Sequence, residues 1–295
     1  MPKKPEICTM TKPAVSYSKI QKVSNAGVVE ANDLLAAEEP LEIRVGYGKA
    51  GDRQQKNISV TMRTPGNDFE LALGFLFTEG IISDVNDISE IRYCTDANTI
   101  ENQENIVRVE LKESVLFDFK NLERNFYTTS SCGVCGKASI DAVKTVCRID
   151  NAQTNLRVSK ELIYSLPDLL RKRQNVFEYT GGLHACALFD AEGNLFLSRE
   201  DVGRHNALDK LIGACLASLQ GQSEAFPFHN YILLLSGRGS FELLQKSAMA
   251  GIKIVAAIGA PSSLAVETAK EFGITLIGFL RGESFNVYSG EERLI

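Results

Sequence analysis

Three short apolar segments recur at a regular interval near the carboxyl end of the chain, and they constrain its fold more than any other feature. They are residues 231–236, 252–258 and 274–279, which are rich in β-branched side chains and begin about 21 residues apart. Helix-length segments at 241–250 and 263–272 separate them, and Gly251 and Gly273 stand where helix C-caps are expected. This β-α-β-α-β order predicts parallel strands joined by right-handed crossovers, hence an α/β fold.

The rest of the chain is predicted to divide into an arm, a small domain and a larger one. Residues 1–25 are polar with scattered prolines and lysines, which is typical of a mobile arm. Residues 26–128 contain strand-like runs on both sides of one apolar helix, which predicts a smaller α+β domain. Asn67 and Glu70 have the spacing of a capping box at the start of that helix. Residues 129–295 contain a cysteine loop and the α/β domain.

Composition and charge bear on the class of protein. The chain has 295 residues, of which 44% are hydrophobic and 23% charged, as in an ordinary soluble globular protein. A net charge of −5 argues against a nucleic-acid partner. Neither a membrane span nor a secretory signal is expected, because no sufficiently long apolar stretch occurs. Seven cysteines at irregular spacing indicate reduced thiols, hence a cytoplasmic protein.

Polar, glycine-containing loops follow the three predicted parallel strands. Their sequences are Ser-Gly-Arg-Gly-Ser at 236–240, Gly-Ala-Pro-Ser-Ser at 259–263 and Leu-Arg-Gly-Glu-Ser at 280–284. Ligands of parallel α/β sheets bind outside these strand ends, where helix N-termini and arginines suit phosphate oxygens. We therefore predict a pocket for a phosphorylated ligand, with Gly237 and Arg238 among its contacts. Glycine and serine also serve ordinary turns and helix caps, which is the structural alternative.

A second polar segment, residues 198–206, lies between a predicted strand and a predicted helix. It contains two arginines, two carboxylates and a histidine. Since the following helix buries an apolar face, the cluster lies at the helix N-terminus, and Arg204 and His205 are its first candidates for ligand contacts. The alternative is a solvated turn with local ion pairs, which contribute little to stability.

Cys132 and Cys135 form the one closely spaced cysteine pair of the sequence. A structural zinc site needs four ligands, and no second pair of this kind occurs. A thioredoxin-type pair opens a helix directly after a strand, a context that is missing before Cys132. The third possibility is a thiolate that carries sulfur, which Lys137 and a following helix would favour. The motif alone indicates thiol chemistry and leaves its kind open.

These segments together resemble the FdhD family of accessory sulfurtransferases for formate dehydrogenase. The resemblance rests on residues 39–45, 61–66, 131–136, 180–184, 200–207, 236–238 and 278–282. It implies that Cys132 accepts persulfide sulfur from a cysteine desulfurase and that Cys135 assists. The acceptor would be the bis-guanine-dinucleotide molybdenum cofactor (bis-MGD) of formate dehydrogenase, for which guanine nucleotides would be mimics.

The resemblance also implies a site, an assembly and a more specific fold. It places cofactor contacts at Phe279, Leu280, Arg281, Gly282, Glu283 and Ser284, and it implies a homodimer. The larger domain would be a three-layer domain like that of cytidine deaminases. Deaminase chemistry is not expected, because the zinc ligands of that family are missing from the helix starts at 203–206 and 237–240. The alternative function is a chaperone that binds the molybdenum cofactor without covalent sulfur transfer.

Overall fold

The computed structural model describes residues 12–94, 104–115, 154–221, 226 and 228–295. Cys132, Cys135, the predicted helix after them and the predicted boundary at 128/129 lie outside these ranges. Within them the strands form a two-stranded hairpin, a four-stranded sheet and a six-stranded sheet. None of the helices in the described ranges has the length and apolar character that a membrane crossing requires.

The hairpin consists of two antiparallel strands near the amino terminus, β1 (Val15–Ser24) and β2 (Gly27–Ala36). Here the structure differs from the prediction of an arm over residues 1–25, because β1 pairs with β2 along its whole length. Most side chains on both faces of this ribbon are exposed. Its strands therefore need no apolar alternation, which is the signal on which strand prediction depends.

The four-stranded sheet confirms the strands predicted in the first half of the chain. Its members are β3 (Glu39–Tyr47), β4 (Gln54–Arg63), β5 (Ile88–Tyr93) and β6 (Ile106–Leu111), in the order β4-β3-β6-β5. Leu41, Ile43 and Val45 alternate along β3 and are fully buried. Helix α1 (Asp68–Thr78) follows β4 and buries most of its apolar side chains.

Helix α1 begins where the sequence predicts, but the predicted capping box is wrong. Asn67 has a left-handed backbone (φ 58°), and its side chain makes no capping hydrogen bond. Glu70 instead accepts hydrogen bonds of 2.6 and 2.8 Å from the Arg199 guanidinium, 129 residues away. The ion pair with Arg199 thus engages the Glu70 side chain, which a capping box would otherwise use.

The six-stranded sheet carries the predicted parallel repeat. Its members are β7 (His184–Phe189), β8 (Leu195–Asp201), β9 (Ile232–Leu235), β10 (Ile254–Ala257), β11 (Thr275–Arg281) and β12 (Ser284–Ser289), in the order β12-β11-β10-β9-β7-β8. β9, β10 and β11 are parallel, which confirms that prediction. β7, β8 and β12 add antiparallel strands at the two sides of this parallel centre.

Helices cover both faces of the six-stranded sheet, which gives three layers. The covering helices are α2 (Lys160–Arg171), α4 (Arg204–Ala217), α5 (Phe241–Met249) and α6 (Ser263–Glu271), whereas the short helix α3 (Asn175–Thr180) contacts strand β2 of the hairpin. Ile163, Leu166 and Leu170 of α2 pack on one face, and apolar residues of α4, α5 and α6 pack on the other. The second of these clusters continues through α1 to the four-stranded sheet, so the two sheets share one apolar core.

Candidate functional site

Strand direction brings the separate polar segments to one edge of the six-stranded sheet. His184 begins β7 and pairs with Asp201, the last residue of β8. Because β7 is antiparallel to β9, it begins at the edge where β9 ends. Helix α4 starts at this edge with Arg204, close to the loop that follows β9 at Gly237. The topology therefore unites two segments that are more than 30 residues apart in sequence.

The loops after the three parallel strands touch one another through their backbones. The Gly259 N–H donates a 2.9 Å hydrogen bond to the Gly237 carbonyl, and the Phe279 N–H donates one of 3.1 Å to the Gly259 carbonyl. A Cβ atom on Gly237 would lie 3.2 Å from Nδ1 of His184, so this imidazole lies directly against the loop. The row from β7 to β11 crosses three strand spacings, about 15 Å. It is long enough for a nucleotide. We call it the strand-end row, and it consists of His184, the start of α4 at Arg204 and His205, the loops at 236–240 and 259–263, and Phe279.

Arg204 adds a cation at the β7 end of the strand-end row. Burial, together with the charges of Arg204 and His205, lowers the pKa of His184. The Nε atom of Arg204 is buried and has no hydrogen-bond partner among the described residues. A buried guanidinium donor without a partner has unused capacity to bind an oxyanion.

His205 is engaged by a carboxylate at the start of the neighbouring helix. Its Nε2 lies 3.0 Å from Oε2 of Glu242, and the Ser240 hydroxyl donates a 3.1 Å hydrogen bond to the same oxygen. The hydrogen bond from His205 is the main reason that the pKa of Glu242 falls to about 2. An ionised carboxylate only accepts hydrogen bonds, so the Nε2 atom of His205 carries the proton of this contact.

Phe279 and Leu280 differ sharply in what their side chains can contact. Phe279 has φ 54°, a conformation rare for an aromatic residue, at a register irregularity between β11 and β12. Phe279 is 39% exposed. Leu280 is 0% exposed and belongs to the core between the sheet and α2. Only the backbone of Leu280 is left for the ligand contact that the resemblance implies.

The remaining predicted contacts form the turn between β11 and β12. β11 extends to Arg281, beyond the predicted strand end, and Gly282 and Glu283 connect it to Ser284 at the start of β12. All four residues are exposed. Gly282 and Glu283 also line a cavity of about 430 Å³ against α2, where Glu161 and Asp168 add two further carboxylates. This side of the turn is therefore unsuited to a phosphate, whereas the strand-end row carries the cations.

Sequence reasoning left two members of this site, His184 and Glu242, outside its candidate list. A histidine before an apolar strand has the same sequence pattern in a core and in a site. Glu242 reads as an ordinary acidic residue in the first turn of a helix. The available signal was position, since both residues adjoin glycine-rich segments, Gly181-Gly182 and Gly237-Arg238-Gly239.

A cleft of about 720 Å³ opens beside the His205–Glu242 pair, between β4 and the helices α1, α4 and α5. Val60 and Met62, exposed on the edge strand β4, line it together with Gln245 and Lys246. Its size lies within the range of ligand pockets, which commonly occur where two structural units meet.

The described cysteines are buried. They are Cys94, Cys186 and Cys215. Burial raises the pKa of the Cys186 thiol strongly and that of Cys215 to about 12. A protonated, buried thiol is a poor nucleophile, so Cys186 and Cys215 are unsuited to sulfur chemistry.

Comparison with known proteins assigns the chain to a family. The family described as FdhD/NarQ matches residues 36–295, from the last residue of β2 to the carboxyl end. The chain belongs to the FdhD/NarQ family. The match includes the strand-end row, the cysteine pair and the four- and six-stranded sheets, and it leaves out β1 and all of β2 except Ala36.

Relatives from several organisms have the name "sulfur carrier protein FdhD". The relative from Streptomyces avermitilis is 51% identical over 280 residues, which cover 94% of each chain. That from Mycobacterium tuberculosis is 44% identical and covers 95% of this chain and 99% of its own. A crystal structure from Desulfotalea psychrophila, described as a formate dehydrogenase accessory protein, has a TM-score of 0.69 and 25% identity. It covers 96% of this chain and 100% of its own, so the FdhD/NarQ fold extends over nearly the whole protein.

Proposed function

We propose that this protein is a sulfur carrier that takes persulfide sulfur from a cysteine desulfurase and delivers it to the bis-MGD molybdenum cofactor. The observation that carries the proposal is the name sulfur carrier protein, held by relatives that are 41–51% identical. The chain has the thiols for this role in Cys132 and Cys135. The buried state of Cys186 and Cys215 leaves the chemistry to other cysteines.

In the loading step, the Cys132 thiolate attacks the outer sulfur of a cysteine persulfide on the desulfurase. The sulfur–sulfur bond of the donor breaks, and the donor cysteine leaves as a thiolate. A new sulfur–sulfur bond forms on Cys132, so one sulfane sulfur has moved without net oxidation or reduction. Cys135 assists as the neighbouring thiol.

In the delivery step the sulfur acceptor is a guanine-dinucleotide cofactor, and the strand-end row supports this choice of acceptor. Arg204 offers a buried guanidinium donor, and Arg238 lies exposed in the loop after β9. Phe279 presents an exposed ring, on which a base can stack. Together they combine phosphate-binding groups with a stacking surface, as a guanine nucleotide requires. The accessory role toward formate dehydrogenase follows the description of the Desulfotalea psychrophila protein.

The proposal includes a cytoplasmic homodimer, which hairpin β1–β2 supports. A two-stranded ribbon is only marginally stable on its own in water. Strand β2 contacts helix α3, but residues 21–30 around the turn of the ribbon are exposed, so this end gains from a partner surface. Tyr17 and Val29 are exposed on its opposite faces. Tyr17→Asp and Val29→Asp are each expected to shift the sedimentation coefficient from dimer to monomer. The likeness of the larger domain to cytidine deaminases also remains a prediction. The three layers of the described part are compatible with it.

Persulfide mapping tests the carrier role directly. The protein is incubated with a cysteine desulfurase and free cysteine, and tryptic peptides are analysed by mass spectrometry. The peptide of residues 125–137 holds both Cys132 and Cys135. We expect it to gain the mass of one sulfur, which a reductant removes, and Cys132→Ser to abolish the gain. Cys147→Ser is the matched control, because it removes a different thiol. An unmodified peptide beside an active desulfurase would reject the proposal.

Activation of formate dehydrogenase in cells separates a carrier from a chaperone. A carrier predicts that the double variant Cys132→Ser/Cys135→Ser yields inactive enzyme while guanosine diphosphate still binds to the protein. A chaperone predicts active enzyme from the same variant. Loss of nucleotide binding in this variant would instead refute the separation of the thiols from the strand-end row.

A further inference from the structure

The only carboxylate hydrogen-bonded to His205 or Ser240 in the described part of the chain is that of Glu242. Its Oε2 atom lies 3.0 Å from Nε2 of His205 and 3.1 Å from the Ser240 hydroxyl. The charge of Arg204 also acts on Glu242. A phosphate oxygen uses the same three kinds of donor: an imidazole N–H, a hydroxyl and a guanidinium. Glu242 thus has the place and the charge that a bound phosphate would have.

We infer that Glu242 is a built-in competitor for the anion-binding groups, and that a phosphate of the acceptor displaces its carboxylate from His205 and Ser240. This inference rests on the proposed function, in which the strand-end row binds a guanine nucleotide. It means that the strand-end row selects for negatively charged ligands, because only such a ligand can replace the carboxylate.

The contacts of Glu242 allow such an exchange. The side chains of His205 and Glu242 are 33% and 47% exposed, so water can replace either partner when they separate. Ion pairs at this exposure are weak. The Ser240 hydroxyl lies at the N-cap of α5 but makes no capping hydrogen bond, and it donates its hydrogen to Glu242. When Glu242 leaves, both donors become available at the mouth of the cleft.

The other acidic side chains near the cleft are not alternative competitors. Glu79 and Asp209 lie 3.0 and 2.9 Å from Nζ of Lys246, in a buried network that also includes Thr78. Asp201 pairs with Lys210 at 2.7 Å, and both side chains are buried. Each of these three carboxylates has its own cation. Glu38 also lines the cleft but, among the described residues, makes no hydrogen bond to His205 or Ser240, whereas Glu242 is bound to both.

Titration calorimetry with guanosine diphosphate and guanosine tests the inference on the full chain. Glu242→Gln removes the charge but keeps the shape, and we expect it to bind guanosine diphosphate about tenfold more tightly. Guanosine, which has no phosphate, should bind equally to both proteins. Glu192→Gln is the matched control, since Glu192 is exposed in the turn between β7 and β8, at the opposite end of β7 from His184.

Each other result has a definite meaning. Equal affinity of Glu242→Gln and the unchanged protein for guanosine diphosphate would overturn the inference and leave the nucleotide site standing. Weaker binding by the variant would also overturn it, because Glu242 would then position His205 for the ligand. Failure of both proteins to bind the nucleotide would reject the inference together with the proposed acceptor site.

Discussion

Gly74 of α1 and Gly213 of α4 face each other where the two helices cross, and neither position leaves room for a side chain. A Cβ atom on Gly74 would lie 2.7 Å from the carbonyl carbon of Asp209, and one on Gly213 would lie 2.7 Å from that of Glu70. The backbones of the two helices are therefore in direct contact. This crossing fixes the start of α4, with Arg204 of the strand-end row, relative to the four-stranded sheet.

Replacing either glycine by alanine should destabilise the protein. Gly74→Ala and Gly213→Ala each place a methyl group against rigid backbone, and we expect each to lower the free energy of unfolding by about 2–4 kcal/mol. Urea unfolding measures the change. Gly182→Ala is the control, because the atom nearest to its added Cβ would be the Ala36 Cβ at 3.7 Å. A loss below about 0.5 kcal/mol at Gly74 would show that the helices can separate without cost.

Lys246 is a second point at which helices of the core are joined. Its Nζ lies 2.9 Å from Asp209 of α4 and 3.0 Å from Glu79 after α1. Lys246→Met would leave Asp209 buried without its cation, which should cost about 3–5 kcal/mol of unfolding free energy. Lys160→Met is the control, since the Lys160 side chain is 63% exposed and its ion pair with Glu161 is long, at 3.9 Å. The expected loss there is below about 0.5 kcal/mol.

A double variant separates the loss of the ion pair from the loss of packing. Lys246→Met/Asp209→Leu removes both charges, so its unfolding free energy should recover by more than half of the loss seen in Lys246→Met. A double variant no more stable than the single one would contradict the explanation by an uncompensated charge.

The parallel repeat could be predicted because burial leaves a direct trace in the sequence. All residues of β9 and β10 are buried, so each strand is a continuous apolar run followed by a glycine-containing loop. Gly251 and Gly273 have the positive φ expected of residues that end helices, 78° and 61°. The local sequence is therefore enough to predict these elements, and the carboxyl ends of their strands form the edge at which the strand-end row lies.

The composition of the site could be predicted only in part, because its members are joined by tertiary contacts. Arg204 and Gly237 belong to polar segments that are visible in the sequence, but His184 joins them only through the antiparallel pairing of β7 with β9. Glu242 becomes a site residue through its tertiary contact with His205, 37 residues away. No periodicity or spacing encodes such pairs.

The pKa of Glu242 offers a test of the His205 contact that does not depend on any ligand. It is about 2, below the usual 4.5, chiefly because of the hydrogen bond from His205. We expect His205→Asn to raise it toward 4.5, as measured by carbon-13 NMR of the carboxyl group. A pKa that stays near 2 in this variant would assign the shift to Ser240 and Arg204.

The same shift predicts a sign for stability against pH. Because the pKa of Glu242 is lower in the folded protein, its contribution is fully present above pH 4.5 and is lost as the pH falls toward about 2. The pair is a third to a half exposed, so we expect no more than about 1 kcal/mol. The difference in unfolding free energy between the unchanged protein and Glu242→Gln should therefore shrink between pH 4.5 and pH 2.

Phe279 and Leu280 are neighbours in sequence and should separate ligand binding from stability. Phe279→Ala removes an exposed ring from the strand-end row, and we expect guanosine diphosphate to bind about tenfold more weakly through lost stacking. Leu280→Ala empties a fully buried position, so it should lower the free energy of unfolding by about 2–5 kcal/mol. Calorimetric titration and urea unfolding of both variants measure the two effects. If Phe279→Ala binds the nucleotide as tightly as the unchanged protein, the left-handed backbone at Phe279 serves the β11–β12 hairpin alone.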